Sequence, residues 1–336
     1  MPRTGQLAHL DLLHFRPHAG AHRVALRAGI SVFVPLFVVT AIGHQEWSMY
    51  AGFGAFTSLY GRNHVHLSRA AMQASVGAVL VAVVVLGVAV STLPNAAWVA
   101  VPIAGLVAAG ASLLSRAQDW HPPGSLFVVF AFGGCASVPH TTADLLPALV
   151  VTGLSALFAV VVGAVGGVAR RDRSLPSKVR LHRSWLPLQD AAAATVAGAL
   201  ATASGIGHPY WATVAAVAPL SARGLRSQLT RGIQRVLGTL LGLVTSAVLL
   251  GLHLTGVALL VVIAALQIGA ELLVGRNYGV ALLVITPLAL LMGQTAFEQP
   301  AGQLLFDRGV ETVIGSAVGL TLVLVLHLQR QRRAQA

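Results

Sequence analysis

The chain has 336 residues, of which 56% are hydrophobic and 10% charged, too few charges to cover the surface of a soluble protein of this size. Its 22 Lys and Arg against 10 Asp and Glu leave a net charge of +12. In a soluble chain that excess would point to nucleic acid, so the placement of the basic residues has to decide what it means.

In chain order the apolar runs predict helices near 24–43, 47–60, 70–91, 97–115, 122–138, 145–169, 188–205, 209–222, 233–251, 256–273, 277–294 and 309–327. Helices are expected because backbone in lipid must bond within its own segment. The charge-free stretches 70–115, 191–222 and 236–270 each hold two crossings at roughly 20 residues apiece. They are divided by turn signals at Thr92-Leu93-Pro94-Asn95, Gly205 to Pro209 and Gly251 to Gly256. The second and eighth helices are short for a hydrocarbon layer of about 30 Å and are expected to tilt or re-enter.

With 43–47 as the first outer turn, every Lys and Arg except Arg308 falls on an inner segment. Excess positive charge on cytoplasmic loops is what orients membrane proteins. The charge therefore reports topology rather than a nucleic-acid partner, and both termini are expected in the cytoplasm. The expected fold is all-α and polytopic, with about twelve transmembrane helices as two parallel six-helix repeats. The first apolar run follows a basic segment and continues into a hairpin, unlike a cleavable signal peptide.

The repeat is read from Ile42-Gly43-His44 with Trp47 against Ile206-Gly207-His208 with Trp211, and from Arg116 and Arg276 ahead of the fifth and eleventh helices. Six crossings per copy make the copies parallel. The expected units are a cytoplasmic segment 1–23, a first repeat 24–169, a basic linker 170–187, a second repeat 188–328 and a cytoplasmic tail 329–336.

The segment from Ile206 to Trp211, the run Arg231-Gly-Ile-Gln-Arg235-Val-Leu-Gly238, the run Glu271-Leu-Leu-Val-Gly-Arg276-Asn277-Tyr278-Gly279 leading to Thr286-Pro287, and Arg308-Gly-Val-Glu311 to Gly315 resemble the fusaric acid resistance and aromatic acid exporter family. The resemblance is strongest over residues 189–328 and weaker over 23–170. It implies an inner-membrane efflux protein for aromatic carboxylates, or an organic-anion channel as in more distant members. Many bacterial members carry a sizeable soluble region between the halves, where this chain has the short basic linker.

Several residues are candidates for the chemistry. Arg69, Arg231 and Arg235 stand at the inner mouths of the third and ninth helices, where a guanidinium fork can receive a carboxylate, and they double as topology determinants. Glu271 is the acid deepest in a crossing, either a carrier of a coupling proton or a partner for Arg276 or another inner Arg. Tyr278 and Thr286 share the eleventh helix with Pro287, which frees a backbone carbonyl, although a threonine there more often bonds back to its own helix. His44 with Trp47, and His208 with Tyr210 and Trp211, sit at outer turns. There, as with Trp98 and Trp120, aromatic rings usually anchor at the interface, or they stack on a departing aromatic substrate.

Gly163 and Gly167, Gly238 and Gly242, and Gly315 and Gly319 suit close helix packing within a subunit or across a homodimer. Cys135, the sole cysteine, is expected in the core. His14, His18 and His22 have a spacing that could hold a metal on a helix, but Pro17 interrupts it. Phosphate-loop, zinc-protease and serine-hydrolase signatures are missing. The expectation is a transporter, not an enzyme, with no cofactor and no metal, whose partners are the lipid bilayer and a small organic anion, moved by membrane potential or a proton gradient. The rival is a scaffold or assembly subunit of the cell envelope that transports nothing.

Overall fold

The computed structural model describes residues 12–15, 17, 20–61, 66–165, 185–297 and 299–335. Of the expected basic linker, only residues 185–187 are therefore described. The described residues form α-helices and short 3₁₀ turns, with no strand among them. The α-helices are α1 Ala21–Ala41, α2 Ser48–Ala55, α3 His66–Ser91, α4 Ala96–Ala117, α5 Leu126–Ala136, α6 Leu145–Val165, α7 Leu186–Ala203, α8 Tyr210–Val217, α9 Leu225–Gly251, α10 Gly256–Val274, α11 Tyr278–Ala296 and α12 Ala301–Gln335.

Eight of these, α1, α3, α4, α6 and α9 through α12, are long and apolar enough to cross a membrane, against the twelve crossings expected. The shortfall has a physical cause in each remaining helix. α2 and α8 have 8 residues each and rise about 12 Å, less than half the hydrocarbon layer, before continuing as the 3₁₀ turns Phe56–Leu59 and Pro219–Ser221. α5 has 11 residues, and α7 carries Gln189 and Asp190 near its start. All of α2 except Met49, and all of α8 except Tyr210, is buried. That is the only setting at membrane depth in which broken helices keep their end groups away from lipid.

The turns before these short helices are set by glycine. Gly43 follows α1 at φ 83° and Gly205 follows α7 at φ 72°, a conformation that Gly adopts without strain. The sequence register set Gly43 against Gly207. In the structure Gly205 ends the helix, whereas a side chain at Gly207 would meet the Asp307 carboxylate.

Polar and apolar residues are distributed as in a membrane protein. Leu106, Leu146, Leu154, Val244 and Val248 face outward, while Thr239, Ser246, Gln267, Asn277, Thr312 and Ser316 are buried. Helices then associate through close packing rather than by expelling apolar surface. α1 packs on α10 and α4 on α7, α3 on α5 and α6, α9 on α11 and α12, α2 on α6 and α8 on α12. Side chains at Gly238 and Gly242 would collide with the α11 backbone at Gly279 and Leu282, and at Gly315 and Gly319 with the carbonyls of Ala212 and Ala216 on α8. These pairs serve packing within the subunit. Gly163 faces Gln73 of α3, and Gly167 lies outside the described residues. Cys135 is buried in α5.

Candidate functional site

The close α9–α11 approach brings the first residue of α11 against the arginines of α9. Arg235 Nη1 donates to Tyr278 Oη at 3.0 Å, and the Arg231 guanidinium lies 4.3 Å above the centre of the Tyr278 ring. Asn277 fixes the helix start, its side-chain oxygen accepting from the Val280 N–H at 3.1 Å. On the neighbouring pair, α8 and α12, the Arg308 guanidinium stacks 3.6 Å from the Trp211 ring centre. Arg308 is 1% exposed.

These groups share one cavity of about 270 Å³. Its polar side holds Arg231, Arg235, Arg308, Tyr278, Gln267 and Glu271; Phe56, Phe127, Phe130 and Trp211 form much of its apolar side. Phe130 tilts onto Trp211 with ring centres 5.1 Å apart and stands edge-on to Phe53 at 5.2 Å, so the aromatic wall is braced from both halves of the chain. The cavity's donors are under-used. Nε and Nη2 of Arg235, Nε and Nη1 of Arg308, Nε of Arg231 and Nε1 of Trp211 are buried with no hydrogen-bond partner. A buried polar group left unpaired costs about 1–3 kcal/mol, and more when charged. Three guanidinium groups beside flat apolar walls combine the chemistry that pairs with a carboxylate and the surface that packs on a planar ring.

The structure thus gathers Arg231, Arg235, Glu271, Tyr278 and Trp211 from the sequence candidates and leaves the others elsewhere. Arg69 is partly buried and its Nε donates to the Gly61 carbonyl at 3.2 Å. Arg276 is exposed at the α10–α11 turn. Thr286 packs against Gly242 in the α9–α11 seam, with a hydroxyl that bonds neither to its own helix nor to another group. His208 lies at a smaller adjoining cavity with Tyr210 and Trp211, its N–H donating to Glu311 at 2.9 Å and its ring 3.3 Å from Asp307.

Two aromatic expectations need correction. Trp211 and Trp120 are buried, at 3% and 1% exposure, and anchor no interface; Trp98, at 53%, is placed as an anchor would be. The matching His and Trp of the two halves also diverge. His44 stacks on Trp47 at 3.8 Å and bonds to Glu46 at 2.8 Å, which holds that carboxyl below its ordinary range. Trp211 turns inward to Arg308 instead.

Arg308 is the charged residue of the cavity that sequence reasoning missed, assigned to the outer side as the lone exception to the charge pattern. That exception was the available signal, because a cation retained against topology needs a local reason. Among the described residues no group of three His, Cys, Asp or Glu is placed to hold a metal, and His18 lies outside them. The N-terminal segment docks nearby: Asn277 Nδ2 donates to the Leu12 carbonyl at 2.8 Å, as does Gln234 Nε2 at 2.9 Å.

Residues 195–322 match the family model described as fusaric acid resistance protein-like. The chain is also similar to the uncharacterized membrane protein YvaC of Bacillus subtilis (strain 168), at 32% identity over 127 residues, 38% of this chain and 20% of that protein. The matched region thus spans about a fifth of the relative's length. No solved structure matches. The family match takes in all three arginines of the cavity, with Trp211, Gln267, Glu271 and Tyr278, and leaves out Phe56, Phe127 and Phe130.

Proposed function

Residues 195–322 carry the fusaric acid resistance protein-like region, and from that premise we propose that the chain is an inner-membrane exporter of small organic anions, aromatic carboxylates foremost. The observation that carries this reading is the cavity that brings Arg231, Arg235 and Arg308, which keep unpaired donors, beside Phe127, Phe130 and Trp211. A carboxylate satisfies the forks, and an aromatic ring gains contact with the wall worth about 0.5–1.5 kcal/mol beyond area burial. No covalent step is needed, and the chain is read as a transporter rather than an enzyme.

The proposed architecture is two parallel six-helix units, with α2 and α8 as short passes through the protein interior. The helix pairings support it, because exchanging the halves maps α1 on α10 to α7 on α4, α3 on α6 to α9 on α12, and α2 on α6 to α8 on α12. The Arg-rich ends are assigned to the cytoplasm by the distribution of positive charge. An interior-negative potential of about 100 mV then contributes roughly 2.3 kcal/mol per exported negative charge, some fiftyfold in concentration ratio.

Proteoliposomes loaded with benzoate test the proposal. Efflux is expected to accelerate when the cytoplasmic face is made negative. Electroneutral exchange indifferent to the potential overturns the driving force, and failure of every carboxylate to move supports the scaffold reading.

A further inference from the structure

A second, larger cavity of about 490 Å³ lies between the C-terminal end of α4, the starts of α7 and α9, and α12. Its lining includes three cations, Arg116, Arg223 and Arg330, against two acids, Asp119 and Asp190, with Ser112, Ser115 and Gln189 among its neutral polar groups. Its two acids are engaged. Asp190 accepts from Ser112, and Asp119 lies 4.0 Å from Arg223.

This cavity meets the arginine–aromatic cavity at two residues, Pro123 and Ser221, which line both. The dividing wall is thin. One side is the strap from Trp120 to Gly124 and the other is the 3₁₀ turn Pro219–Ser221. The two touch so closely that a β-carbon at Gly124 would lie 3.0 Å from the Ser221 Cβ. The strap is tied at its ends, where the Gly61 N–H donates to the His121 carbonyl at 3.0 Å and the Gly124 N–H to Ser115 Oγ at 2.8 Å. Pro122 and Pro123 between these ties have no N–H to bond across the wall.

We propose that the polar cavity is the cytoplasmic loading site for the exported carboxylate, which then passes between Pro123 and Ser221 into the arginine–aromatic cavity. The proposal rests on the export reading and adds a site and a route to it. Cations lining a cleft concentrate anions and raise their capture rate by about 10- to 1,000-fold. Arg116, Arg223 and Arg330 are exposed and make weak, fast contacts, whereas the buried arginines beyond the wall bind more tightly because water no longer competes.

A Cys135→Ala, Ser221→Cys chain in inside-out vesicles tests the route. The impermeant thiol reagent 2-sulfonatoethyl methanethiosulfonate, applied to the cytoplasmic face, is expected to react at Ser221→Cys and to cut benzoate uptake at least tenfold. A reductant should restore uptake, and benzoate should slow the labelling. A thiol that does not react from that face, or uptake that survives full labelling, overturns the proposal. If the unlabelled variant and the unaltered chain both fail to move any carboxylate, the export reading itself is what falls. In the same vesicles Arg223→Gln with Arg330→Gln should raise the half-saturating benzoate concentration about tenfold. An unchanged value contradicts a loading role.

Discussion

Arg235 and Arg308 each keep guanidinium donors that nothing accepts, and Tyr278 and Trp211 supply each with a single aromatic partner. A lysine at either position keeps the charge and loses the planar fork. Arg308→Lys and Arg235→Lys are therefore expected to weaken carboxylate binding by about 1.5–3 kcal/mol, roughly 10- to 100-fold, measured as the half-saturating concentration for efflux. Equal affinity in the lysine variants would show that charge alone is sensed. Trp211→Leu separates substrates instead: benzoate should lose about two- to tenfold in affinity, with an aliphatic carboxylate little changed, and equal losses would contradict a stacking role. Sequence reading reached Arg231, Arg235, Glu271 and Tyr278 because intramembrane or mouth-lying polar residues are few and conspicuous, and Trp211 because its Ile-Gly-His neighbours recur in the first half. It could not reach the Phe56, Phe127 and Phe130 wall, since an apolar ring facing a cavity has the same local signature as one facing the core.

At the scale of elements, the α8–α12 seam holds the second half of the site together. Gly315 and Gly319 let α12 lie on the carbonyls of Ala212 and Ala216, and Glu311 accepts the His208 N–H just ahead of α8. A negative group is favoured at that end of a helix. Gly315→Leu should lower the unfolding temperature in detergent or abolish the folded protein, since overpacking costs about 1–3 kcal/mol even where some relaxation is possible. An unaltered melting curve would mean that the two helices do not pack this closely. Glu311→Gln keeps the acceptor and should retain stability, whereas Glu311→Ala strands the His208 N–H and should lose about 1–3 kcal/mol. The sequence announced these glycines by their spacing but not their partners, which only the fold brings together. It also placed α2 and α8 without their true lengths, because the apolar run continues through the 3₁₀ turns that end them.

For the molecule as a whole, the helical class and the long apolar spans were legible in the sequence, since lipid leaves few solutions for such segments. The cavity was not legible, because its walls come from the 3₁₀ turn Phe56–Leu59 and from α5, α8, α9, α10, α11 and α12 at once. The proposed orientation predicts that Thr255→Cys and Gln299→Cys, each in a Cys135→Ala chain, react with an impermeant thiol reagent on intact cells, and that Arg330→Cys reacts only after permeabilisation. The reverse pattern would invert the topology and with it the direction of transport.

A carboxylate seated in the arginine–aromatic cavity can be located in a crystal structure of the protein with 4-iodobenzoate by the anomalous signal of iodine. The expected iodine peak lies against Trp211 and Phe130, with the carboxylate on the guanidinium groups of Arg235 and Arg308. An empty cavity at saturating ligand, or iodine bound solely elsewhere, would contradict that placement.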